Sequence, residues 1–336
     1  MLTATVAQDE PGVGAAPVSS MRAACLVKPG VVQVEEIPVP EPGPTQVRFK
    51  VKGCGVSGRL LATWRGVVAQ TYPRPAGESD AEAWGIVDAV GKQVHGIKPG
   101  DPVAAISLSA HAEYDVAEVG SVIRLPSALS DAPFPSRSLA GAFNVFEHCR
   151  IEAGQMVAVV GVGFLGALVI QLATDAGAEV VALSRRPFSL SVAREMGASS
   201  VVELEEPADV WKHVQGTLNG RLCDVVVETA GKQATLDYAG RLTKAYGRLV
   251  IAGRHDGPRE VNLQLWNQRG LEVLNAHDDD PERILDGMRQ ASDALSSGRI
   301  AIVPLLTHRF GLGQLETALE LSERRPLGFV KALIEP

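Results

Sequence analysis

Two kinds of hydrophobic pattern follow one another along the chain. Up to about Arg137, short β-type apolar runs are separated by glycine and proline, and long amphipathic segments are rare. Short runs at this spacing predict a partly closed all-β body. The predicted strands cover residues 23–27, 31–34, 47–51, 84–90 and 103–106.

The pattern changes near Leu139. Residues 156–160 form a continuous apolar run, which is typical of a strand buried on both faces of a parallel sheet. Beyond it, helical patterns alternate with short apolar runs, and this alternation predicts β-α-β units in a doubly wound sheet. The predicted helices cover residues 165–176, 189–196 and 234–242, and the predicted strands cover 180–183, 225–227 and 248–251.

The last part of the chain returns to the first. An amphipathic helix is predicted from Pro281 to about Ser296, and residues 329–334 have the pattern of a strand that rejoins the β-rich region. We therefore predict an α/β fold in several parts. These are a disordered extension (1–20), a β-rich domain (21–140), a parallel α/β domain (141–277) and a closing segment (278–336).

Composition narrows the class of protein. The 336 residues suit two domains, and 46% hydrophobic with 21% charged residues is the profile of a globular protein. The net charge of −7 argues against nucleic-acid binding, and no apolar run is long enough to span a bilayer. The four cysteines form no C-x-x-C pair, and residues 1–20 do not have the pattern of a signal peptide. We expect a cytoplasmic protein with a small-molecule partner, and neither a nucleic-acid nor a membrane partner.

A glycine-rich turn follows the predicted strand 156–160 and opens a predicted helix. It is Gly161-Val162-Gly163-Phe164-Leu165-Gly166. In a dinucleotide site the first glycine allows the tight turn, the second lets the backbone approach the pyrophosphate, and the third permits close helix packing. The helix N-terminus then faces the phosphates. The alternative is a tight turn that binds nothing, but the strand before it and the helix after it favour a dinucleotide.

The end of the next predicted strand indicates which dinucleotide. An NAD site usually carries an acidic residue there, which accepts the ribose 2′-hydroxyl. This chain has Ser184-Arg185-Arg186 instead. Two guanidinium groups without a carboxylate favour a 2′-phosphate, and therefore NADP(H). The alternative is that both arginines only solvate the start of a helix.

Further segments complete a resemblance to a known family. They are Gly53-Cys54-Gly55-Val56-Ser57-Gly58, Glu82-Ala83-Trp84-Gly85-Ile86-Val87, Lys98-Pro99-Gly100-Asp101-Pro102-Val103 and Gly328-Phe329-Val330-Lys331. With the glycine-rich turn, and in this order, the chain from about Met21 to Pro336 resembles the medium-chain dehydrogenase/reductase superfamily. The resemblance implies a Rossmann doubly wound parallel sheet inserted in a β-rich GroES-like catalytic domain. It also implies a nicotinamide-dependent oxidoreductase, commonly a homodimer through an edge strand, here around residues 271–275.

The residues that hold zinc in the family's metal enzymes differ in this chain. Those positions fall on Ser57, Ala81 and Arg137, and the hydroxyl residue that relays the alcohol proton falls on Arg59. A methyl group and a guanidinium are not zinc ligands, and a serine hydroxyl is a poor one. The resemblance therefore points to a zinc-independent branch of the superfamily.

The resemblance places Arg59, Glu82 and Arg137 near the cleft, where something must replace the metal. One reading makes Arg137 or Arg59 a fixed cation that binds an anionic or oxygen-rich substrate. The other pairs Glu82 with Arg137 in the vacated metal space. His277 lies by resemblance close to the nicotinamide and would exchange a proton near neutral pH, although a lone histidine is more often structural.

Other cofactor contacts follow from the rule that ligands sit at the carboxyl ends of parallel strands. Thr229 and Ala230 follow one predicted strand, and Gly253 and Arg254 follow the next. Lys331 resembles the family's C-terminal basic residue that reaches the phosphates, although an edge-strand lysine is usually solvated.

The sequence therefore predicts a zinc-independent, NADP(H)-dependent oxidoreductase. Its substrate would be a small polar molecule, anionic ones included, that carries a carbonyl, an alcohol or an enone, and a role in biosynthesis fits that chemistry. Two alternatives stay open at this stage. One is a quinone or enoyl reductase that acts on C=C bonds, and the other is an NADP(H)-binding sensor without turnover.

Overall fold

The computed structural model describes residues 19–67, 70–79, 82–204 and 214–336. Ala81 and most of the predicted extension 1–20 lie outside the described residues. Ser20 does not belong to the extension, because the first strand, β1 (Ser20–Lys28), begins there.

The β-rich domain contains a hairpin and a seven-stranded sheet. In the hairpin, β1 pairs antiparallel with β2 (Val31–Pro38). The strands of the larger sheet are β3 (Gln46–Gly55), β4 (Ala83–Val90), β5 (Pro102–Ala105), β6 (Tyr114–Glu118), β7 (Val122–Arg124), β14 (His308–Gly311) and β15 (Ala332–Glu335). Their order is β14-β15-β3-β4-β5-β7, with β6 also paired to β3. Val47, Phe49 and Val51 alternate along β3 into one core, as the period of two in a strand requires.

The parallel sheet matches the predicted doubly wound pattern. Its strands are β8 (Met156–Val160), β9 (Glu179–Ser184), β10 (Ser200–Glu203), β11 (Cys223–Glu228), β12 (Thr243–Ile251) and β13 (Glu272–Asn275). All are parallel, in the order β10-β9-β8-β11-β12-β13. This is the strand order of a dinucleotide-binding Rossmann sheet. Every residue of β8 is buried, which explains its unbroken apolar sequence. The predicted α/β fold is confirmed.

The helices bring the two sheets together. They are α1 (Gly58–Trp64), α2 (Ser136–Cys149), α3 (Phe164–Asp175), α4 (Pro187–Glu195), α5 (Gln233–Leu242), α6 (Leu263–Arg269), α7 (Pro281–Ser296) and α8 (Leu315–Arg324). The predicted boundary at 140/141 falls inside α2. The α7 helix, which the prediction assigned to the closing segment, buries Ile284 and Met288 in the same core as Val157 of the parallel sheet. Only the chain from β14 onward rejoins the β-rich sheet.

No helix in the described part of the chain is both long and apolar enough to cross a membrane.

A histidine and an aspartate are buried in the β-rich domain, away from the parallel sheet. His111 is fully buried, and its Nδ1 lies 2.7 Å from the Glu78 carbonyl oxygen. Burial disfavours the charged imidazolium and lowers the pKa of His111 to about 4. Asp115 is also buried. Desolvation raises its pKa to about 6, because it outweighs the hydrogen bonds to the carboxylate, which lower that pKa. Their effects on stability run in opposite directions below neutral pH.

We expect a His111→Asn variant to gain stability relative to the parent protein as the pH falls. Asparagine keeps a donor for the Glu78 carbonyl but cannot take up a proton. The folded pKa of His111 lies below the unfolded value of 6.5, so its contribution is present above pH 6.5 and is lost as the pH falls toward 4. The difference in unfolding free energy between variant and parent should shift by about 3 kcal/mol over that window, at 1.36 kcal/mol per pKa unit. Urea unfolding from pH 7 to pH 4 measures it, and a difference independent of pH would contradict this assignment.

Candidate active site

Residues from both sheets and their helices line a cavity of about 1150 Å³. Its walls include the glycine-rich turn, the end of β9, the first turn of α2, the start of α1 and residues 329–332 before and in β15. This is larger than a typical drug-sized ligand pocket, so it has room for a dinucleotide beside a small substrate.

The three glycines of the turn have different surroundings. Gly161 adopts φ +105°, which side chains rarely adopt, and a Cβ there would lie 2.9 Å from Thr229 Oγ1. A Cβ on Gly166 would lie 2.2 Å from the Gly161 carbonyl oxygen, so the helix packs directly on the turn. A Cβ on Gly163 would meet nothing within 4 Å. Gly163 therefore opens onto the cavity, as the glycine that a pyrophosphate approaches should.

The start of α3 faces the same space. Gly163 precedes the helix and offers no side-chain cap, and Phe164, Leu165 and Gly166 line the cavity. The first amide groups of a helix lack intrahelical acceptors and carry a partial positive charge. The turn is therefore suited to hold a pyrophosphate.

A buried carboxylate shapes the opposite wall. Glu228 is completely buried and accepts hydrogen bonds from Ala230 N (2.9 Å), Gly231 N (2.8 Å) and Thr235 Oγ1 (2.7 Å). These bonds fix the turn that places Thr229 and Ala230 in the cavity wall. Thr229 Oγ1 donates to the Gly161 carbonyl at 2.6 Å and so joins the two turns.

Two predicted cofactor contacts lie elsewhere. A Cβ on Gly253 would lie 2.5 Å from Glu228 Oε2, so this glycine makes room for the buried carboxylate. Arg254 forms an ion pair with Asp256 at 3.0 Å. Neither Gly253 nor Arg254 is among the residues that line the cavity, so the structure does not bring these two predicted cofactor contacts to it.

The end of β9 supplies the predicted cations. Ser184, Arg185 and Arg186 all line the cavity. Ser184 Oγ accepts from the Arg186 amide at 3.2 Å, and the Arg186 Nη2 donates to the Phe329 carbonyl at 2.8 Å. No carboxylate in the described part of the chain lies within ion-pair distance of Arg185 or Arg186.

Glu82, Lys331 and Ser138 form a second polar cluster at the cavity. Lys331 Nζ lies 2.6 Å from Glu82 Oε2 and donates to Ser138 Oγ at 2.9 Å, and the Ser138 hydroxyl donates to Glu82 Oε1. The side chains of Glu82 and Lys331 are 2% and 7% exposed. Ser138 and Lys331 line the cavity, whereas Glu82 lies behind them. Lys331 also lies over the Phe164 ring, 5.3 Å from its centre.

This cluster corrects two predictions. Glu82 pairs with Lys331 and not with Arg137. Lys331 is neither a solvated edge residue nor free to reach the phosphates, because its ammonium is held by Glu82 and Ser138. The Glu82 carboxylate has room in this cluster because Gly55 has no side chain. A Cβ on Gly55 would lie 1.7 Å from Glu82 Oε2.

Arg137 and His277 meet at the rim of the cavity. The Arg137 guanidinium forms an ion pair with Asp279, and His277 Nε2 lies 3.2 Å from the other Asp279 oxygen. Desolvation would raise the pKa of Asp279, but its hydrogen bond with Arg137 and the charge of Arg137 outweigh it and lower that pKa. The His277 side chain is 78% exposed, so it lies at the entrance and not at a buried reaction centre. Arg59 is exposed in the first turn of α1 and is not among the residues that line the cavity, so the structure does not bring it together with Glu82 and Arg137.

The donor groups at the family's zinc position do not fit that metal. The Ser57 hydroxyl accepts from the Leu60 amide at 3.1 Å as the N-cap of α1, and Arg137 is a cation. Ala81 lies outside the described residues. Nearby Cys54 is fully buried, and desolvation raises the pKa of its thiol, which opposes the thiolate form that zinc binds. The described residues contain no group of three or more His, Cys, Asp or Glu side chains that could hold a metal ion.

Ser138 and Arg325 are cavity residues that the sequence did not reveal. Ser138 is adjacent to Arg137, on which the resemblance places the third zinc-ligand position, and both residues line the cavity. Arg325 follows α8 and lies in the cavity wall with Arg186, far away in sequence. No local pattern marks either residue.

Comparison with known proteins agrees with this architecture. Residues 43–128 match the family model for the alcohol dehydrogenase GroES-like domain, and residues 165–277 match the model described as zinc-binding dehydrogenase. The chain is 27% identical to human sorbitol dehydrogenase over 329 residues, which covers 88% of this chain and 90% of that protein. It is 26% identical to L-threonine 3-dehydrogenase of Bacillus subtilis over 330 residues, which covers 88% and 93%.

One solved structure is similar to this chain over nearly the whole length of this chain. It is a Sinorhizobium meliloti protein, described as a zinc-binding dehydrogenase and bound to NADP. It superimposes with a TM-score of 0.81 at 26% identity and covers 95% of this chain and 100% of that one. A GroES-like domain joined to a Rossmann sheet across a cofactor-sized cleft defines a pyridine-nucleotide-dependent oxidoreductase. The chain belongs to the medium-chain dehydrogenase/reductase superfamily.

Proposed function

We propose that this protein is a zinc-independent, NADP(H)-dependent oxidoreductase that transfers hydride to or from a small polar carbonyl or alcohol. The observation that carries the proposal is the cluster of Glu82, Lys331 and Ser138. It provides a buried cation and a hydroxyl group in the cavity wall, in a family whose metal enzymes use zinc and a hydroxyl for the chemistry of the substrate oxygen.

The choice of NADP(H) rests on the end of β9. A 2′-phosphate in that position would meet Arg185 and Arg186, and no acidic side chain would repel it. The NADP bound to the Sinorhizobium meliloti relative is consistent with this choice.

When bound, the nicotinamide would supply or accept the hydride. In the reductive direction, the Ser138 hydroxyl, which lines the cavity, would turn from Glu82 and donate its proton to the carbonyl oxygen of the substrate. While the oxygen develops negative charge, the ammonium of Lys331 is still protonated and stabilises it. Lys331, within hydrogen-bond distance of Ser138, then returns a proton to the serine and regains its own proton from solvent in the cleft. Glu82 orients both groups and keeps the lysine charge compensated.

The substrate class follows from the charges and the relatives. Arg137 already has a carboxylate partner in Asp279, so the rim offers less attraction to an anion than a free arginine would. The named relatives act on sorbitol and on L-threonine, which are small polar alcohols. Both observations favour an uncharged or zwitterionic hydroxy or oxo compound over an anionic one, and a biosynthetic or sugar-type reductase fits.

Two further expectations belong to this proposal. We infer a homodimer through β13, the edge strand of the parallel sheet, whose partner-free edge is available for pairing. We also infer a cytoplasmic location, which is consistent with four cysteines that are buried and free.

The direct test measures cofactor binding first and turnover second. Fluorescence titration with NADPH and NADH should show tighter binding of NADPH. A panel of polyols, hydroxy acids, ketones, aldehydes, enones and quinones is then assayed in both directions, with and without a zinc chelator. Oxidation or reduction of an alcohol–carbonyl pair, unchanged by the chelator, supports the proposal. Turnover of enones or quinones alone would indicate a C=C reductase, and tight NADPH binding without any turnover would indicate a sensor.

A Ser138→Ala variant should lose about 10²- to 10³-fold in kcat/KM, within the range of a positioned proton donor. The side chain is small and half-buried, so we expect NADPH affinity and thermal stability to change little. Ser138→Thr is the matched control, because it keeps a hydroxyl group at the same position and should retain more activity. Equal activity of Ser138→Ala and the parent protein would contradict the role of this hydroxyl.

A further inference from the structure

The walls of the cavity around the end of β9 come from both domains. Arg185 and Arg186 belong to the parallel sheet, and Arg325 directly follows α8. The α8 helix packs with Leu60 and Trp64 of α1 in the core of the β-rich domain, so Arg325 approaches from the other side of the cleft. All three arginines line the same cavity.

Arg186 already bridges the two domains. Its Nη2 donates to the carbonyl oxygens of Phe329 (2.8 Å) and Pro326 (3.2 Å), both in the chain that follows α8. This contact brings the end of β9 to the segment that carries Arg325. The Ser184 hydroxyl oxygen accepts a hydrogen bond from the Arg186 amide, and this bond fixes the backbone at the end of β9.

Arg325 is held in place but its charge is not compensated. Its Nε donates to the Ser322 carbonyl at 3.3 Å, and its backbone amide donates to the Leu321 carbonyl at 2.8 Å. Within residues 19–67, 70–79, 82–204 and 214–336, no carboxylate lies within ion-pair distance of Arg325 or Arg186, and the Nη groups of Arg325 have no protein acceptor.

Like charges close together without a counter-ion carry an electrostatic cost. Desolvation, and then the charge of Arg325, lowers the pKa of Arg186. The Arg325 side chain is partly exposed, and local desolvation, and then the charge of Arg65, lowers its pKa. Arg65 has a partner in Glu323 at 3.5 Å, so the uncompensated charge lies at Arg186 and Arg325, on the cavity side. A dianion between them would relieve this repulsion and accept hydrogen bonds from both guanidinium groups.

We propose that Arg325 binds the 2′-phosphate of NADP(H) from the β-rich domain, opposite Arg185 and Arg186 of the parallel sheet. The proposal rests on the function proposed above and makes Arg325 a residue that determines cofactor specificity. The phosphate then lies in a clamp with one side from each domain. The clamp does not contribute to the binding of NADH, because NADH lacks the 2′-phosphate.

The test compares Arg325→Gln with Arg324→Gln, its neighbour, which is exposed like Arg325 but does not line the cavity. Position 325 has a left-handed backbone conformation (φ +46°). Arginine in the parent protein and glutamine in the variant are both non-glycine residues, so the backbone strain is the same, and glutamine keeps a polar, unbranched side chain. Dissociation constants for NADPH, NADH and 2′,5′-ADP are measured by calorimetry at two ionic strengths. The last ligand carries the 2′-phosphate but no nicotinamide.

We expect Arg325→Gln to weaken NADPH and 2′,5′-ADP by roughly 10- to 100-fold, as for one charge-assisted phosphate contact, and to leave NADH unchanged. Arg324→Gln should change none of the three. The weakening should shrink at the higher ionic strength because salt screens the contact.

Two results separate this inference from the proposed function. If the parent protein prefers NADPH but Arg325→Gln leaves 2′,5′-ADP binding unchanged, the clamp is wrong and the cofactor assignment stands. If the parent protein binds NADH as tightly as NADPH, both are wrong. Equal weakening of NADH and NADPH by Arg325→Gln would also overturn the proposal, because it would mean a general effect on the cleft.

Discussion

Lys331→Met should destabilise the protein by about 3–5 kcal/mol, because it leaves the buried Glu82 carboxylate without its cation. In the parent protein the two groups lie 2.6 Å apart with side chains 7% and 2% exposed, so solvent cannot replace the lysine. The same change removes the charge that we propose stabilises the substrate oxygen. We therefore expect alcohol–carbonyl turnover to be lost as well. Urea unfolding measures the first effect, and steady-state kinetics measures the second.

The double variant Glu82→Gln/Lys331→Met separates stability from function. It removes both charges together, and replacement of a whole buried pair is often neutral for stability. We expect most of the lost stability to return while activity stays absent. Lys331→Met with the stability of the parent protein would show that the ion pair does not hold the carboxylate. Recovery of activity in the double variant would show that the cluster has no part in the reaction.

Gly163→Val should abolish NADPH binding and leave the fold intact. The backbone at Gly163 has φ −101° and ψ −160°, which valine adopts readily, and a Cβ there meets no protein atom within 4 Å. The added methyl groups therefore enter the cavity where the pyrophosphate must approach. We expect a loss of at least about 10³-fold in affinity, equivalent to roughly 4 kcal/mol. Fluorescence titration measures the loss, and thermal unfolding without ligand should match the parent protein.

Gly166→Ala is the informative contrast. Its Cβ would lie 2.2 Å from the Gly161 carbonyl oxygen, so this change should lower stability as well as affinity. If Gly163→Val bound NADPH like the parent protein, the open space at Gly163 would not be the phosphate site.

The parallel sheet could be predicted closely because its signals are local. The run 156–160 coincides with β8, and the predicted helix 234–242 begins one residue after the start of α5 at Gln233. The prediction of each element depends only on the spacing of apolar residues within a segment of about a dozen residues. The division between domains was harder. The start of α2 and all of α7 pack in a core shared with the parallel sheet, and that packing depends on long-range contacts.

The candidate site shows where sequence reasoning stops. The sequence predicts Arg137 as the partner of Glu82, whereas the sheet brings Lys331 to it. β15 pairs with β3 at Gly55, and the Gly55 amide donates to the Glu82 carbonyl. This register places Lys331, just before β15, beside Glu82. A pairing between residues so far apart in sequence leaves no local pattern, and the same is true of Arg325 beside Arg186.

In the proposed function, a lysine–glutamate–serine cluster takes the place of a catalytic metal in this member of a family with zinc enzymes. The most direct test is elemental analysis of protein produced in zinc-supplemented medium and purified without chelators. We expect only substoichiometric zinc in protein that binds NADPH, because the described residues offer no ligand set for the ion. A full equivalent of zinc per chain, retained through dialysis, would contradict it.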